Sequence, residues 1–345
     1  MIRDSSELVR QLRVIHAEIR DAVLAACERR AMEVLAAPVA DEGGDTVYAL
    51  DRISEEVLVS RFETLAATWS FVLVAEGLGT SGTMVLPRGS SADDAELRII
   101  VDPIDGTRGL MYQKRPGWVL TGVAPNRGAA TTLADIELAV QTEIPLVKQH
   151  LSDAFWLEDG RVQGERFNRF TGEREPLEPC PSQATTIAHG YGGISRFVPG
   201  GRDVLAAADD AIVERLLGPV RPGSALAFED QYISTGGQLY ELIMGHDRWI
   251  ADLRPLLDAS LRKRGRALGL ECHPYDLCTE SIARACGVIV ADARGARLRV
   301  PLDVNTGVAW LGFANEHIRA QVWSVMPAVL TEMGLVTSDG DRGGD

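Results

Sequence analysis

The stretch Ile100-Val101-Asp102-Pro103-Ile104-Asp105-Gly106-Thr107 decides how the chain is interpreted. An apolar strand delivers two carboxylates, Asp102 and Asp105, three residues apart. Pro103 fixes its own φ and biases the preceding residue toward extended backbone, so both carboxylates can converge on one side of the turn. Oxygen ligands at a strand end suit hard cations such as Mg²⁺. The stretch therefore predicts a metal site, and the alternative is an Asp-Pro turn without a ligand.

The residues around these carboxylates suit an anionic substrate. The Ile104 carbonyl could turn toward the metal, and Gly106 and Thr107 offer backbone amides of the kind that hold a phosphate. The whole chain has 35 Lys and Arg against 49 Asp and Glu, a net charge of −14. Such a chain repels phosphate backbones, so no nucleic acid polymer is expected as a partner. An anionic substrate needs a local reversal of charge, which bound metal ions supply.

Length and composition predict two packed halves. The chain has 345 residues, a little over twice the ~150-residue guide for one domain. We expect an N-terminal α+β half over residues 1–183, an α/β half over 184–335 and a flexible tail over 336–345. No apolar run approaches the ~18 residues of a membrane span, and the N-terminus lacks a signal-peptide pattern. The expected location is the cytoplasm, with no membrane partner.

Periodicity and turn residues predict the elements. In the first half they predict helices over 5–35 and from Ser54, a Gly-rich break at 41–45, strands at 71–75, 97–101 and 119–124, a mobile loop at 79–94, and a hairpin within 154–173. In the second half they predict a strand at 185–188, a Gly-rich loop at 190–193, helices at 204–217, 238–244 and 279–286, and strands at 248–253 and 288–291. The Gly-rich loop lacks the pattern of a nucleotide-binding loop.

The motif Asp102-Pro103-Ile104-Asp105-Gly106-Thr107 resembles the D-P-[IL]-D-G-T motif of the inositol monophosphatase family. This superfamily of Mg²⁺-dependent, lithium-sensitive phosphatases also includes fructose-1,6-bisphosphatases and 3′-phosphoadenosine nucleotidases. Further along, Pro274-Tyr275-Asp276-Leu277-Cys278 resembles the family's W-D-x-A-[AG] motif. Order and spacing place Glu76 at the family's G-E-E glutamate and Asp51 at its T-x-x-D aspartate. The resemblance covers about residues 8–325, nearly the whole chain.

The resemblance implies a layered αβαβα sandwich and a Mg²⁺ site at the junction of the two halves. It implies two Mg²⁺ ions, or three, with one ion held by Glu76, Asp102 and the Ile104 carbonyl and a second by Asp102, Asp105 and Asp276. The implied reaction is attack by a metal-activated water, with the catalytic residues Asp51, Thr107 and Glu76 and with the Thr107 hydroxyl hydrogen-bonded to Asp51. The implied substrate contacts are Gly106, Thr107, Arg108, Ser195, Ser234, Asp252 and Asp276. A homodimer is expected from the resemblance alone.

The chain departs from the family pattern at three places. The second glutamate of G-E-E is Gly77, so a supporting carboxylate is absent from that position. The usual D-G-T-x-N continuation becomes Arg108-Gly109, which adds a cation near the phosphate pocket. The stretch between Asp252 and Asp276 is longer than usual and carries a basic run at 262–266. That run is either a solvated helix face or a lid or subunit contact that touches a second anionic group of the substrate.

The resulting functional prediction is a Mg²⁺-dependent phosphomonoesterase for a small polyol or sugar phosphate. Three other enzymes share the same metal core and stay open as alternatives: a 3′(2′),5′-bisphosphate nucleotidase, a fructose-1,6-bisphosphatase and a histidinol-phosphate phosphatase. A non-catalytic homologue that binds a phosphorylated metabolite is the alternative from a different class of protein. The sequence alone leaves the substrate open.

Overall fold

The structure is a computed structural model that describes residues 2–29, 38–42, 45–78 and 81–336. Four parts of the predictions lie outside the described residues. They are the last residues of the first predicted helix, Gly43 and Gly44 of the predicted break, the first two residues of the predicted 79–94 loop, and the tail beyond Val336.

Two sheets of very different size organise the chain. A short antiparallel pair, β1 (Pro38–Glu42) and β2 (Asp45–Tyr48), precedes them. The larger sheet contains β3 (Phe71–Ala75), β4 (Thr83–Leu86), β5 (Leu97–Asp105), β6 (Gly117–Pro125), β7 (Leu138–Ile144), β8 (Leu151–Glu158), β9 (Arg161–Asn168) and β10 (Arg174–Pro176). The smaller sheet contains β11 (Tyr191–Ile194), β12 (Asp247–Asp252), β13 (Ile289–Asp292) and β14 (Trp310–Phe313).

The strand that ends in the Asp-Pro-Ile-Asp motif lies well inside the larger sheet. The strand order is β10-β9-β8-β7-β6-β5-β3-β4, and only β3 and β5 pair in parallel. The smaller sheet has the order β11-β12-β14-β13, with β11 and β12 parallel. The register of β5 against β6 shifts between Asp102 and Asp105, so the ladder is interrupted where the two carboxylates emerge.

Nine helices cover the faces of the sheets in the described residues. They are α1 (Ser5–Arg29), α2 (Ala49–Leu65), α3 (Thr107–Met111), α4 (Arg202–Leu217), α5 (Thr235–Ile243), α6 (Asp258–Lys263), α7 (Glu280–Ala285), α8 (Glu316–Trp323) and α9 (Met326–Glu332). The apolar positions that predicted α1, spaced by three and four residues, are buried: Leu8, Leu12, Ile15, Ile19 and Val23. Burial of this stripe against the sheet stabilises the helix more than propensity does.

Three apolar cores show the order of the layers. The first core joins α1 and α2 to one face of the larger sheet. The second core joins the other face of that sheet to α5, α7 and one face of the smaller sheet. The third core joins the outer face of the smaller sheet to α4, α8 and α9. The predicted layered αβαβα sandwich is therefore confirmed.

Several predicted elements are corrected by the structure. Residues 185–188 form no strand, and β11 instead covers most of the predicted Gly-rich loop. The reason is packing, since a Cβ at Gly192 would lie 2.4 Å from Cδ1 of Trp249, so glycine allows β11 to pair closely with β12. The predicted 79–94 loop contains β4. Within the predicted break at 41–45, residues 41 and 42 belong to β1 and Asp45 begins β2.

The larger sheet is built from residues 71–176 and the smaller from residues 191–313. The division of the chain into halves at residue 183 stays a prediction. None of the described helices is long and apolar enough to cross a membrane.

Candidate active site

Three carboxylates from distant parts of the chain meet in one cavity. Asp102 and Asp105 lie at the end of β5, each 5% exposed, and Asp276 comes from the segment that precedes α7. Each offers one carboxylate oxygen, and these three oxygens lie within 4.8 Å of one another. The cavity has a volume of about 1600 Å³. Its lining residues come both from segments next to the larger sheet and from segments next to the smaller sheet. The fold therefore assembles the cluster that the two sequence motifs predicted separately.

The N-terminus of α5 holds the Asp105 carboxylate. Ser234 is the N-cap of this helix, and its hydroxyl donates to Asp105 Oδ2 at 2.8 Å. The Gly236 amide donates to the same oxygen at 2.5 Å, and the Thr235 amide donates to Oδ1 at 3.3 Å. Charge-assisted bonds to a helix N-terminus favour the ionised carboxyl and fix its orientation. Ser234, predicted as a substrate contact, thus also positions a metal-site carboxylate.

Backbone amides hold the other two carboxylates. The Ile104 amide donates to Asp102 Oδ1 at 3.0 Å, which closes the turn around Pro103. The His273 amide donates to Asp276 Oδ2 at 2.6 Å. The orientation of each carboxylate is therefore set by nearby backbone.

Burial raises the pKa of all three carboxyl groups. Burial raises the pKa of Asp105 to about 6, although its hydrogen bonds oppose the shift. Burial, and then the charges of neighbouring carboxylates, raise the pKa of Asp102 and Asp276 well above the ordinary range. Three ionised carboxylates at this spacing need a compensating positive charge.

This donor set fits a hard divalent cation. All the predicted donors are oxygen atoms, namely the three clustered carboxylates, Glu76 and the Ile104 carbonyl. Mg²⁺ and similar ions take carboxylate and carbonyl oxygens. The three-carboxylate cluster can therefore hold a metal ion, and its composition leaves the identity and number of ions open.

The side chain of Thr107 hydrogen-bonds to Asp51, as the sequence predicted. Asp51 lies in the first turn of α2, and its Oδ1 accepts from Thr107 Oγ1 at 3.0 Å. The same hydroxyl lies 2.8 Å from the Ile104 carbonyl oxygen. A hydroxyl has one proton, so these two acceptors compete for it, and an ionised carboxylate is the stronger acceptor. The catalytic roles of both residues stay predictions.

Glu76 and the phosphate-binding candidates also face the cavity. Glu76 follows β3, is exposed and lines the cavity, and its charge helps to raise the pKa of Asp102. Gly106 and Arg108 line the cavity as well. Gly106 has φ of +84° and caps α3, a conformation that glycine adopts without strain. The first amides of a helix have no acceptor within it.

Two predicted substrate contacts lie behind the cavity wall. Asp252 is fully buried, and both its carboxylate oxygens accept from Arg254, with Nη2 to Oδ2 at 2.5 Å. Ser195 is 3% exposed and accepts from Nε2 of Gln238 at 2.9 Å. Neither residue is among those that line the cavity. Direct contact of Asp252 or Ser195 with a substrate stays a prediction.

Arg254 lines the cavity in place of Asp252. Its guanidinium donates to the Leu270 carbonyl at 2.7 Å and lies 4.4 Å from the centre of the Phe197 ring. Phe197 lines the cavity too. Sequence analysis did not single out Arg254, although a carboxylate at a strand end with an arginine two residues later is a recognisable signal for a local ion pair.

The basic run forms part of the cavity wall. Arg262 and Arg266 both line the cavity, together with most residues of 265–271. Arg262 is paired with Asp258 at 2.8 Å, and its side chain is 77% exposed. The run is therefore more than a solvated helix face, because Arg262 and Arg266 line the cavity that contains the clustered carboxylates.

The sequence matches no family model and no curated protein sequence. Solved structures nevertheless share its fold. Fructose-1,6-bisphosphatase of Leishmania major in its holo form is 12% identical with a TM-score of 0.65, covering 91% of this chain and 93% of that one. Extragenic suppressor protein SuhB of Bartonella henselae is 13% identical with a TM-score of 0.60, covering 93% and 98%.

A third solved structure, the IMPase of Thermotoga maritima, is 15% identical with a TM-score of 0.59 and covers 95% of this chain and all of its own. The chain therefore has the fold of these solved structures, which include a fructose-1,6-bisphosphatase and an IMPase. The resemblance predicted from the sequence motifs is confirmed at this level. Identities this low show the fold and leave the substrate open.

Proposed function

We propose that the protein is a metal-dependent phosphomonoesterase. The observation that carries the proposal is the meeting of two groups of residues in one cavity. The first group is the carboxylate cluster of Asp102, Asp105 and Asp276. The second is the hydrogen-bonded pair of Thr107 and Asp51, which lines the same cavity. Hydrolysis of a phosphate ester needs both a site for cations and a site for a proton.

The cation that we propose is Mg²⁺, held by the clustered carboxylates, Glu76 and the Ile104 carbonyl. Bound divalent cations neutralise charge on the phosphoryl oxygens and lower the pKa of water. The hydrogen bonds of Asp102, Asp105 and Asp276 with backbone amides hold the donors in place before a cation binds. Preorganisation of this kind avoids reorganisation during the reaction.

Thr107 and Asp51 supply the proton acceptor. When the Thr107 proton is donated to Asp51 Oδ1, the lone pairs of the hydroxyl oxygen can accept a proton from the attacking water. The hydroxyl passes its own proton to the Asp51 carboxylate as it takes the proton of the water, so the hydroxyl stays neutral and Asp51 ends the step protonated. The first amides of α3 have no acceptor within the helix and can donate to phosphoryl oxygens.

The proposed substrate is a small polyol or sugar phosphate. A cavity of about 1600 Å³ exceeds the ~300–1,000 Å³ that encloses a typical ligand, so it can hold a phosphorylated sugar and its cations. The second candidate is a substrate with a second anionic group, as in a bisphosphate. Arg262, Arg266 and Arg108 all line the cavity. They favour this candidate because they add positive charge near the three clustered carboxylates.

The test is phosphate release from phosphorylated polyols, sugar monophosphates, sugar bisphosphates, 3′-phosphonucleotides and histidinol phosphate. Each is assayed with Mg²⁺, with EDTA and with Mg²⁺ plus Li⁺. We expect release that requires Mg²⁺ from at least one class. If no substrate releases phosphate although calorimetry shows that Mg²⁺ binds, the result would support a non-catalytic homologue that binds a phosphorylated metabolite. If no substrate releases phosphate and Mg²⁺ does not bind, the assignment of the carboxylates as metal ligands would be contradicted.

Inhibition by Li⁺ and assembly as a homodimer are further proposals that rest on the sequence resemblance. The Li⁺ arm of the assay tests the first. Sedimentation equilibrium of the purified chain tests the second, and a monomer at micromolar concentration would contradict it.

A further inference from the structure

A glutamate from α2 occupies the space beside Gly77. An ideal Cβ built on Gly77 would lie 2.3 Å from Glu55 Oε1 and 2.9 Å from Glu55 Cδ. Position 77 is where the sequence resemblance expects a second glutamate, next to Glu76. The carboxylate that the loop lacks therefore has a counterpart from another element at the same place.

The geometry of α2 explains how Glu55 reaches this place. Glu55 follows Asp51 by four residues on one helix, and residues at this spacing share a helix face. The Asp51 side chain accepts the Thr107 hydroxyl, so this face of α2 points toward the reaction site. Glu55 accordingly lines the cavity together with Asp51, Glu76 and Asp102.

The backbone at Gly77 makes the two arrangements mutually exclusive. Gly77 has φ of +79°, a region that side-chain-bearing residues adopt only with strain. A side chain there would also collide with the Glu55 carboxylate. The chain therefore combines glycine at 77 with a carboxylate from α2, and a glutamate at 77 would displace Glu55.

We propose that Glu55 is a cation-binding carboxylate of the active site and acts beside Glu76. Its carboxylate binds the same divalent cation that is assigned to Glu76, Asp102 and the Ile104 carbonyl. This cation site is on the side of the cavity where Thr107 and Asp51 lie. The proposal rests on the proposed function, since it assigns one more residue to the same cation site. It also accounts for Gly77, the departure from the family pattern that left a carboxylate missing.

The first test is calorimetric titration of the whole protein with Mg²⁺ and with Mn²⁺, without substrate. Glu55→Gln should weaken one class of cation site on the order of ten-fold and leave the remaining binding unchanged. The matched control is Glu63→Gln on the same helix, where Glu63 is exposed and pairs with Arg88 away from the cavity. Glu63→Gln should bind both cations as the unaltered protein does.

The second test uses a pair of glycines with the same backbone strain. Gly77→Ala must move the Glu55 carboxylate, whereas Gly89→Ala, at φ of +88°, has no atom within 4 Å of the new Cβ. Gly77→Ala should therefore weaken the same class of cation site as Glu55→Gln, and Gly89→Ala should not. Because both substitutions carry a positive φ, strain alone would affect them alike.

The outcomes separate the two proposals. If the unaltered protein binds divalent cations and both Glu55→Gln and Gly77→Ala bind them equally well, the role of Glu55 is contradicted and the proposed function stands. If the unaltered protein binds neither cation, the proposed function itself fails. Circular dichroism of every variant establishes that it is folded, and if Glu55→Gln does not fold, Gly77→Ala against Gly89→Ala decides the question.

Discussion

The floor of the cavity is the cluster of Asp102, Asp105 and Asp276, and its rim is formed by Arg262 and Arg266 of the basic run. These two regions are built in different ways. On the floor, Asp105 receives three hydrogen bonds from the N-terminus of α5, and Asp102 and Asp276 each receive one from a backbone amide. On the rim, the side chain of Arg262 is 77% exposed and pairs with Asp258 at the surface. Rigid groups suit chemistry, and adaptable charges suit recognition of a variable part of a substrate.

This difference has a consequence for substitutions. A change on the floor disturbs several fixed contacts at once, so it should alter the rate of the reaction. A change on the rim removes a solvated charge that is screened by salt, so it should alter substrate affinity by a small factor.

Asp105→Asn should abolish turnover, with a fall in kcat on the order of 10³-fold or more, equal to a barrier rise of about 4 kcal/mol. The substitution removes a negative charge from the cluster and places an amide among the donors from Ser234 and Gly236. Steady-state kinetics at saturating Mg²⁺ measures it, and circular dichroism checks the fold. Asp93→Asn, at an exposed position outside the cavity, is the control. Full activity of Asp105→Asn would contradict the metal-site assignment.

Thr107→Ala should lower kcat by about 10²-fold or more, the range for loss of a positioned proton acceptor. The Mg²⁺ concentration for half-maximal activity should stay nearly constant, because the hydroxyl contacts Asp51 and the Ile104 carbonyl oxygen but is no predicted metal ligand. Thr107→Ser keeps the hydroxyl and should retain most of the activity. A strongly shifted Mg²⁺ requirement in Thr107→Ala would instead make Thr107 part of the metal site.

Removal of divalent cations should lower the melting temperature, and the drop should be larger at pH 8 than at pH 5.5. The folded-state pKa of Asp105 is raised to about 6, so its carboxyl is partly protonated at the lower pH and repulsion on the floor is relieved. Above that pH the ionised floor needs the cation, which binds without competition from protons. Thermal unfolding with EDTA and with Mg²⁺ at both pH values measures this. An equal drop at both would contradict it.

The double substitution Arg262→Ala with Arg266→Ala should raise KM for a bisphosphorylated substrate by about three- to ten-fold, corresponding to about 1 kcal/mol for exposed charges. It should leave kcat and the Mg²⁺ requirement unchanged, because neither side chain contacts the carboxylates. Arg294→Ala, at an exposed position that does not line the cavity, is the control. A large loss of kcat would mean that the rim takes part in the chemistry.

The part of the floor that β5 carries was largely predictable because its residues are local. Asp102, Asp105 and Thr107 lie within six residues, and proline and glycine constrain the turn that joins them. The hydrogen bond between Thr107 and Asp51 was also expected, from the order of the motifs. The rim could not be assigned in this way, because a run of arginines carries no signal for what it faces.

The structure places Asp252, β11 and the start of α2 differently from what was expected, and of these only β11 depends on a contact between distant segments. Asp252 was expected at the substrate, but Arg254 pairs with it and takes its place on the cavity wall. The strand β11 was expected to be a loop, because its glycines look like turn residues until Trp249 is packed against them. Helix α2 begins at Ala49 rather than near Ser54, so Asp51 lies in its first turn.

The sequence by itself determined most helices and strands and the acidic motifs at the strand end, because periodicity and turn chemistry act over a few residues. Through the resemblance of those motifs to a known family, it also implied the layered fold and the residue types of the proposed reaction. The resemblance implied that Asp276 joins Asp102 and Asp105, and the tertiary structure decided how distant segments bring the groups of the cavity together. It brought Asp276 to the end of β5, placed the basic run on the cavity wall and put Glu55 beside Gly77. These encounters depend on how sheets and helices far apart in the chain pack together, and no local pattern specifies that packing.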